Sequence, residues 1–282
     1  MFSISSSFAA IGTKTGGTTT TLRILLALAP VALPTAYLFY LKRSLAKHTV
    51  ASARISPPDT LPKPPSPESS FASSSAHDNA QAAISDGVLP PDVLAAPAQF
   101  VIAHERVVSH PVPIAALRPE LATADGLDGL LGAYLSATMR AFAWTPQALL
   151  MARMGRALPD PEAYRRTFEA GYLSSCGFRA GDRVCGVYIV RARREGRVVL
   201  GLAPPEGWTG PVVMGALDVG FDRVGGKGGG EVVFVNETVL WRREGGRPTM
   251  LEGRVGRWLH TLLASWLVVK GVEAVMDGKK TS

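Results

Sequence analysis

Eighteen consecutive residues without a charge, Ile24 to Leu41 (ILLALAPVALPTAYLFYL), constrain this chain more than any other feature. At about 1.5 Å per helical residue the run reaches roughly 27 Å, enough for a thin bilayer core. Tyr37 and Tyr40 fall near its C-terminal end, where aromatic rings favour the interface. Pro30 and Pro34 are unusual but tolerated in membrane helices. The run is longer than the apolar core of a signal peptide, and Lys42-Arg43 follows it in place of a small-residue cleavage site. The expectation is a disordered stretch over 1–21 and a single uncleaved transmembrane helix over 22–43.

Flanking charge sets the direction. Lys14 and Arg23 precede the span, whereas Lys42, Arg43, Lys47 and Arg54 follow it. The positive-inside rule then leaves the C-terminal side in the cytosol, or in the matrix of a mitochondrion. Asn236-Glu237-Thr238 is an N-glycosylation sequon, and this orientation predicts that it stays bare.

The same six cations account for nearly all of the net charge of +7, because no acid precedes Asp59. Residues 59–282 hold 24 basic and 23 acidic side chains, a balance of +1. A region so near neutrality lacks the field that attracts phosphates, which argues against nucleic acid as a partner. Cys176 and Cys185 form no disulfide framework, match no zinc spacing and read as buried thiols.

Pro57-Pro58, Pro62, Pro64-Pro65, Pro67 and Pro90-Pro91, interleaved with Ser and Ala, mark a disordered linker over 44–98. Its length suggests a tether spanning about 40 Å.

The remaining 99–276 alternate between two periodicities. Phe100–His110 reads as a strand closed by Pro111 and Pro113. Leu127, Leu130, Leu131, Tyr134, Leu135, Thr138 and Phe142 recur at helical spacing. Pro146 opens a second helix to about Leu158, and Asp160-Pro161 caps a third to about Tyr172. Then come four β-rich runs, 184–193, 197–203, 212–222 and 231–243, the first two joined by a Glu195-Gly196 turn and the last two by the Gly225–Gly230 segment. A long amphipathic helix over 251–276 ends the domain, with Val255, Trp258, Leu259, Leu262, Leu263, Trp266 and Leu267 on one face and Arg254, Arg257 and Thr261 on the other. The predicted class is α+β, an antiparallel sheet packed against a long C-terminal helix, with a short disordered tail over 277–282.

This order of elements resembles the START/birch-allergen superfamily, in which a curved antiparallel sheet grips a long C-terminal helix around an apolar cavity. The resemblance covers about 99–276 and rests on element order, so it implies a fold and carries over no ligand-contact residues.

Chemistry is sparse. Lys227 in the Gly225–Gly230 segment lacks the Ser or Thr and the following helix of a phosphate-binding loop. In 212–222, Leu217, Val219 and Phe221 point one way while Asp218, Gly220 and Asp222 point the other. In 231–243, Val233, Val235, Glu237, Val239 and Trp241 share a face, and Phe234, Asn236, Thr238 and Leu240 share the opposite one. If the first of these faces lines a cavity, Glu237 is desolvated and its pKa raised, as a polar anchor or general acid/base. If that face is open to water, Glu237 is a surface charge. His260, and the pair His104-Glu105, stand without partners at metal-ligand spacing, and no cofactor motif is present.

The candidate ligand-binding residues are therefore Leu217, Val219, Phe221, Glu237, Trp241, Leu259 and Trp266. Three functions follow: a tethered domain binding a lipid or other hydrophobic small molecule in a cavity of several hundred Å³ between sheet and terminal helix; a thioesterase-like or cyclase-like enzyme using Glu237 or Asp218 as base; or a membrane-bound adaptor with an exposed apolar patch.

Overall fold

A computed structural model of the chain describes residues 36–56, 84–122, 127–225 and 230–278. The chain divides into two units, 1–44 and 45–282. In the first, 36–44 are helical. Most of the expected span over 22–43 lies outside the described residues, as do 1–21, and among the described residues no helix is long and apolar enough to cross a membrane.

The second unit is built on an eight-stranded antiparallel sheet. Its strands are β1 (Thr49–Ser56), β2 (Phe100–Ser109), β3 (Val112–Pro113), β4 (Arg183–Val184), β5 (Tyr188–Arg194), β6 (Arg197–Leu202), β7 (Met214–Val224) and β8 (Glu231–Arg243). They lie in the order β1-β2-β8-β7-β6-β5-β4, with β3 beside the start of β8. Helices α1 (Pro91–Ala95), α2 (Leu127–Ala143), α3 (Pro146–Met154), α4 (Pro161–Arg166), α5 (Ala170–Ser175) and α6 (Arg254–Val275) complete the domain.

The expected linker over 44–98 gives way at both ends. β1 pairs with β2 along its whole length, from Thr49↔Ser109 to Ser56↔Ile102. It stops where Pro57 removes a backbone donor, which is why Ser56 is the natural limit of the ladder. At the far end Val88, Leu89 and Val93 are buried against Val199, Ala216, Val239 and Trp241. The folded domain thus begins near Leu45 rather than at 99, and residues 57–83 of the expected linker lie outside the described residues. In sequence, the three residues Lys42, Arg43 and Ser44 separate Leu41 from Leu45.

Paired residues of an antiparallel ladder share a face, so the register sorts the core into two layers. On one face Val107, Val198, Leu200, Val219, Phe221 and Phe234 pack against α2 and α6. The two helices approach closely at Gly271, where an added Cβ would collide with the Tyr134 ring and Thr138. The other face is covered by 84–95. Capping follows the sequence signals. Thr145 Oγ1 accepts from the Ala148 amide at 3.2 Å and Asp160 Oδ1 from Ala163 at 2.9 Å, each just ahead of a proline in the first turn. The expected third helix breaks in two because the Thr167 hydroxyl turns back to the Tyr164 carbonyl at 2.7 Å while accepting from the Gly186 amide.

Candidate functional site

The helix-covered face holds a cavity of about 360 Å³. Strands β5 to β8 give it Tyr188, Leu202, Leu217, Thr238 and Leu240, and α3 adds Gln147, Met151 and Met154. Loop residues Trp208, Val212 and Val213 close one side, and Pro248, Thr249 and Met250 another. The 248–250 wall is pinned because Glu252 accepts from the Thr249 amide at 2.7 Å and pairs with Arg242 at 2.8 Å. The terminal helix contributes His260. The expected cavity between sheet and terminal helix is thus present in size, but α3 and the loops form most of its wall.

The Asn236, Thr238 and Leu240 face of β8, not the Glu237 face, looks toward the helices. Of the seven candidate residues, Leu217 lines the cavity. Val219 and Phe221 are buried on the same face in the main core, and Trp266 packs partly buried against it. Leu259 is 44% exposed, and Glu237 and Trp241 belong to the opposite layer.

Glu237 is fully buried and nevertheless ionised. Burial pushes its carboxyl up. His104 Nε2 at 2.9 Å from Oε1, Arg106 Nη1 at 2.6 Å from Oε2, and Ser85, which donates its amide to Oε1 and its hydroxyl to Oε2, outweigh that and hold the pKa at about 2. The expectation that desolvation would raise it fails because these donors converge on one carboxylate. Asp218, opposite Glu237 on β7, is shifted up instead: burial dominates, partly offset by Arg197 at 3.0 Å. Arg197 also holds Asp222 through two bonds, at 2.6 and 3.0 Å. This layer is an ion-pair lattice under the 84–95 segment. Neither Glu237 nor Asp218 reaches the cavity, and the assignment of either as a catalytic base there is withdrawn.

Behind the cavity-lining His260 lies a second buried carboxylate, which sequence reasoning passed over. Glu105 sits on β2 opposite Thr238 and is 1% exposed. His260 Nδ1 lies 2.7 Å from its Oε1, and the Thr261 hydroxyl donates to its Oε2 at 2.6 Å. Thr261, assigned by helical spacing to the polar face with Arg254 and Arg257, therefore faces the sheet, while Val255 is exposed. His104 and Glu105, read as isolated, are partners of two different clusters on the two faces of one strand. The signal that could have found them is a His-Glu-Arg run inside an otherwise apolar strand.

The sequon at Asn236 cannot report on membrane orientation. Its side chain is buried in a central strand, and a glycan there is incompatible with the folded domain. Burial pushes the Cys176 thiol up and the Cys185 thiol to about 12, consistent with packed, unreactive cysteines. Lys227 lies outside the described residues. No group of three metal-ligating side chains occurs among the described residues. No protein-family model, curated protein or solved structure matches this chain.

Proposed function

We propose that the domain binds an apolar small molecule in the 360 Å³ cavity and draws it from an adjacent membrane. The observation that carries this reading is the cavity itself, within the usual range for small-molecule sites and walled by Met151, Leu202, Trp208, Val213, Leu217 and Leu240. Polar groups are few, as such sites require. Two further facts support a membrane source. Met154, Val212, Val213 and Met250 are exposed where they line the cavity, giving it an apolar rim. The uncharged run Ile24–Leu41 ends only four positions before Leu45. We read that run as a single-span anchor, in keeping with the START-like expectation of a domain that takes up a hydrophobic ligand.

Native mass spectrometry of the full chain, extracted in mild detergent, tests the proposal. The wild type is expected to carry a co-purifying small molecule that Leu217→Trp, which fills the cavity, releases. An unliganded wild type that also fails to bind an apolar fluorophore defeats the reading.

The adaptor alternative has one observation in its favour. Trp144, Leu149 and Leu150 are exposed close together at the start of α3. A partner seated there would be lost from Trp144→Ser/Leu149→Ser with the cavity ligand retained.

A further inference from the structure

The two edges of the sheet are finished differently. At the far edge β4 is two residues long, the ladder of β5 shifts register between Val190 and Ala192, and Arg191, Arg193 and Arg194 crowd that strand. Short strands, bulges and charge are the ordinary devices that keep a sheet from adding another strand. β1, the opposite edge, carries none of them. Its eight residues pair with β2 without a shift. Its single charge, Arg54, lies on the His104 and Glu237 face with Nε and Nη2 buried.

Two hydrogen bonds fix which way the backbone of β1 points. The His110 amide donates to the His48 carbonyl at 2.9 Å, so in the same register Val50, Ser52, Arg54 and Ser56 exchange bonds with β2. The other side of β2 agrees. There the Glu244 amide donates to the Gln99 carbonyl at 2.9 Å, which gives the odd-numbered residues of β2 to β8 and leaves the even-numbered ones for β1. The N–H and C=O groups of Ala51, Ala53 and Ile55 therefore point outward in the plane of the sheet. Among the described residues they make no hydrogen bond. All three residues are exposed, and two of them carry only a methyl group.

What fits such an edge is another extended strand, and β1 is complementary to itself. With a second copy antiparallel about a two-fold axis at Ser52, Thr49 meets Ile55 and Ala51 meets Ala53, each in both directions. Every outward position from 49 to 55 then finds an outward partner. Moving the axis to Ala51 or Ala53 sets Ile55 opposite Lys47 or Thr49 opposite Pro57, both beyond the strand. Charge permits the pairing. Arg54 falls opposite Val50 of the second copy, and the two Arg54 residues stand about 14 Å apart.

We infer that β1 is a self-association edge, where two copies of this chain join β1 to β1 and continue one antiparallel sheet through both. An interface of one strand is small beside the roughly 1,200–2,000 Å² of a stable complex, so the association is weak and concentration-dependent.

Cysteine trapping in the full chain tests the edge and its register together, in a Cys176→Ser background because Cys185 is buried. Ser52→Cys places two thiols across the two-fold in a non-hydrogen-bonded pair, with Cα atoms about 4.5 Å apart, close enough for a disulfide. Val50→Cys leaves its two copies about 14 Å apart, too far to bridge. Under copper-phenanthroline oxidation in mild detergent, Ser52→Cys is expected to give a covalent dimer and Val50→Cys to stay monomeric. Ala53→Pro deletes one outward N–H at a position where an edge strand tolerates proline, and should abolish the dimer while nearly keeping the midpoint of thermal unfolding. Ala51→Lys/Ala53→Lys sets like charges directly opposite each other at exposed positions and repeats the test without proline. No dimer from Ser52→Cys, an equal dimer from Val50→Cys, or a dimer that survives in either folded edge variant overturns the inference.

Discussion

His104 and Glu105 are neighbours in sequence and opposites in consequence. Successive residues of a strand face opposite sides of the sheet, so His104 enters the layer under 84–95 and Glu105 the layer under the helices. Each layer encloses a buried carboxylate. Around Glu237 the donors are numerous, charged and drawn from β2 and the 84–95 segment, and both oxygens are saturated. Around Glu105 two donors from α6 suffice, and one of them, His260, also lines a cavity. The lesson is that burial of a carboxylate does not by itself identify a functional site.

That contrast is open to attack in order of expected size. Glu237→Ala strands His104 and Arg106 without their counter-charge and is expected to destabilise the domain by about 3–5 kcal/mol in urea unfolding. A loss below about 1 kcal/mol would show that the ion lattice is not structural. The same carboxylate sets an acid limit. Its folded pKa of about 2 lies below the ordinary 4.5, so its contribution is complete above pH 4.5 and drains away as pH falls toward 2. Unfolding midpoints measured across that window should fall for the wild type and stay flatter for Glu237→Ala.

On the helix side, Gly271→Ala forces a methyl into Tyr134 and Thr138 and is expected to cost about 1–3 kcal/mol, read as a lowered midpoint of thermal unfolding. Glu105→Gln keeps the shape and one acceptor oxygen, so a loss near 1 kcal/mol is expected, far below that of Glu237→Ala. Equal losses at the two carboxylates would erase the distinction between the layers. The smallest effect should belong to Asp218→Asn. Burial raises the Asp218 pKa, which means its ionised form is disfavoured on folding, and Arg197 keeps Asp222 when Asp218 is neutralised. A change within about 0.5 kcal/mol is expected in the same urea titration.

Much of the architecture was legible because local rules spoke clearly. Thr145-Pro146 and Asp160-Pro161 announced helix starts, and the alternation in 231–243 told its two faces apart. It did not tell which face met the helices, since valines line one and phenylalanine, threonine and leucine the other. Both are buried, one by α2 and α6 and one by 84–95. β1 was hidden by its neighbours: TVASARIS alternates modestly and was absorbed into the proline-rich composition that starts one residue later. Leu217 was found because hydrophobic alternation marks it. Glu105 and His260 were missed because their meeting spans 155 residues and depends on how α6 lies across β2, which no local pattern encodes.

The place of β8 between β2 and β7 has a consequence for biosynthesis. β2 leaves the ribosome more than a hundred residues before the strand it must pair with, and until β8 arrives it has only β1 as a neighbour. Closing so long a loop is slow, and an unpaired apolar strand is prone to aggregate while it waits. Ile102, Val107 and Val108 of the nascent chain therefore stay without their β8 partners until that strand has been made.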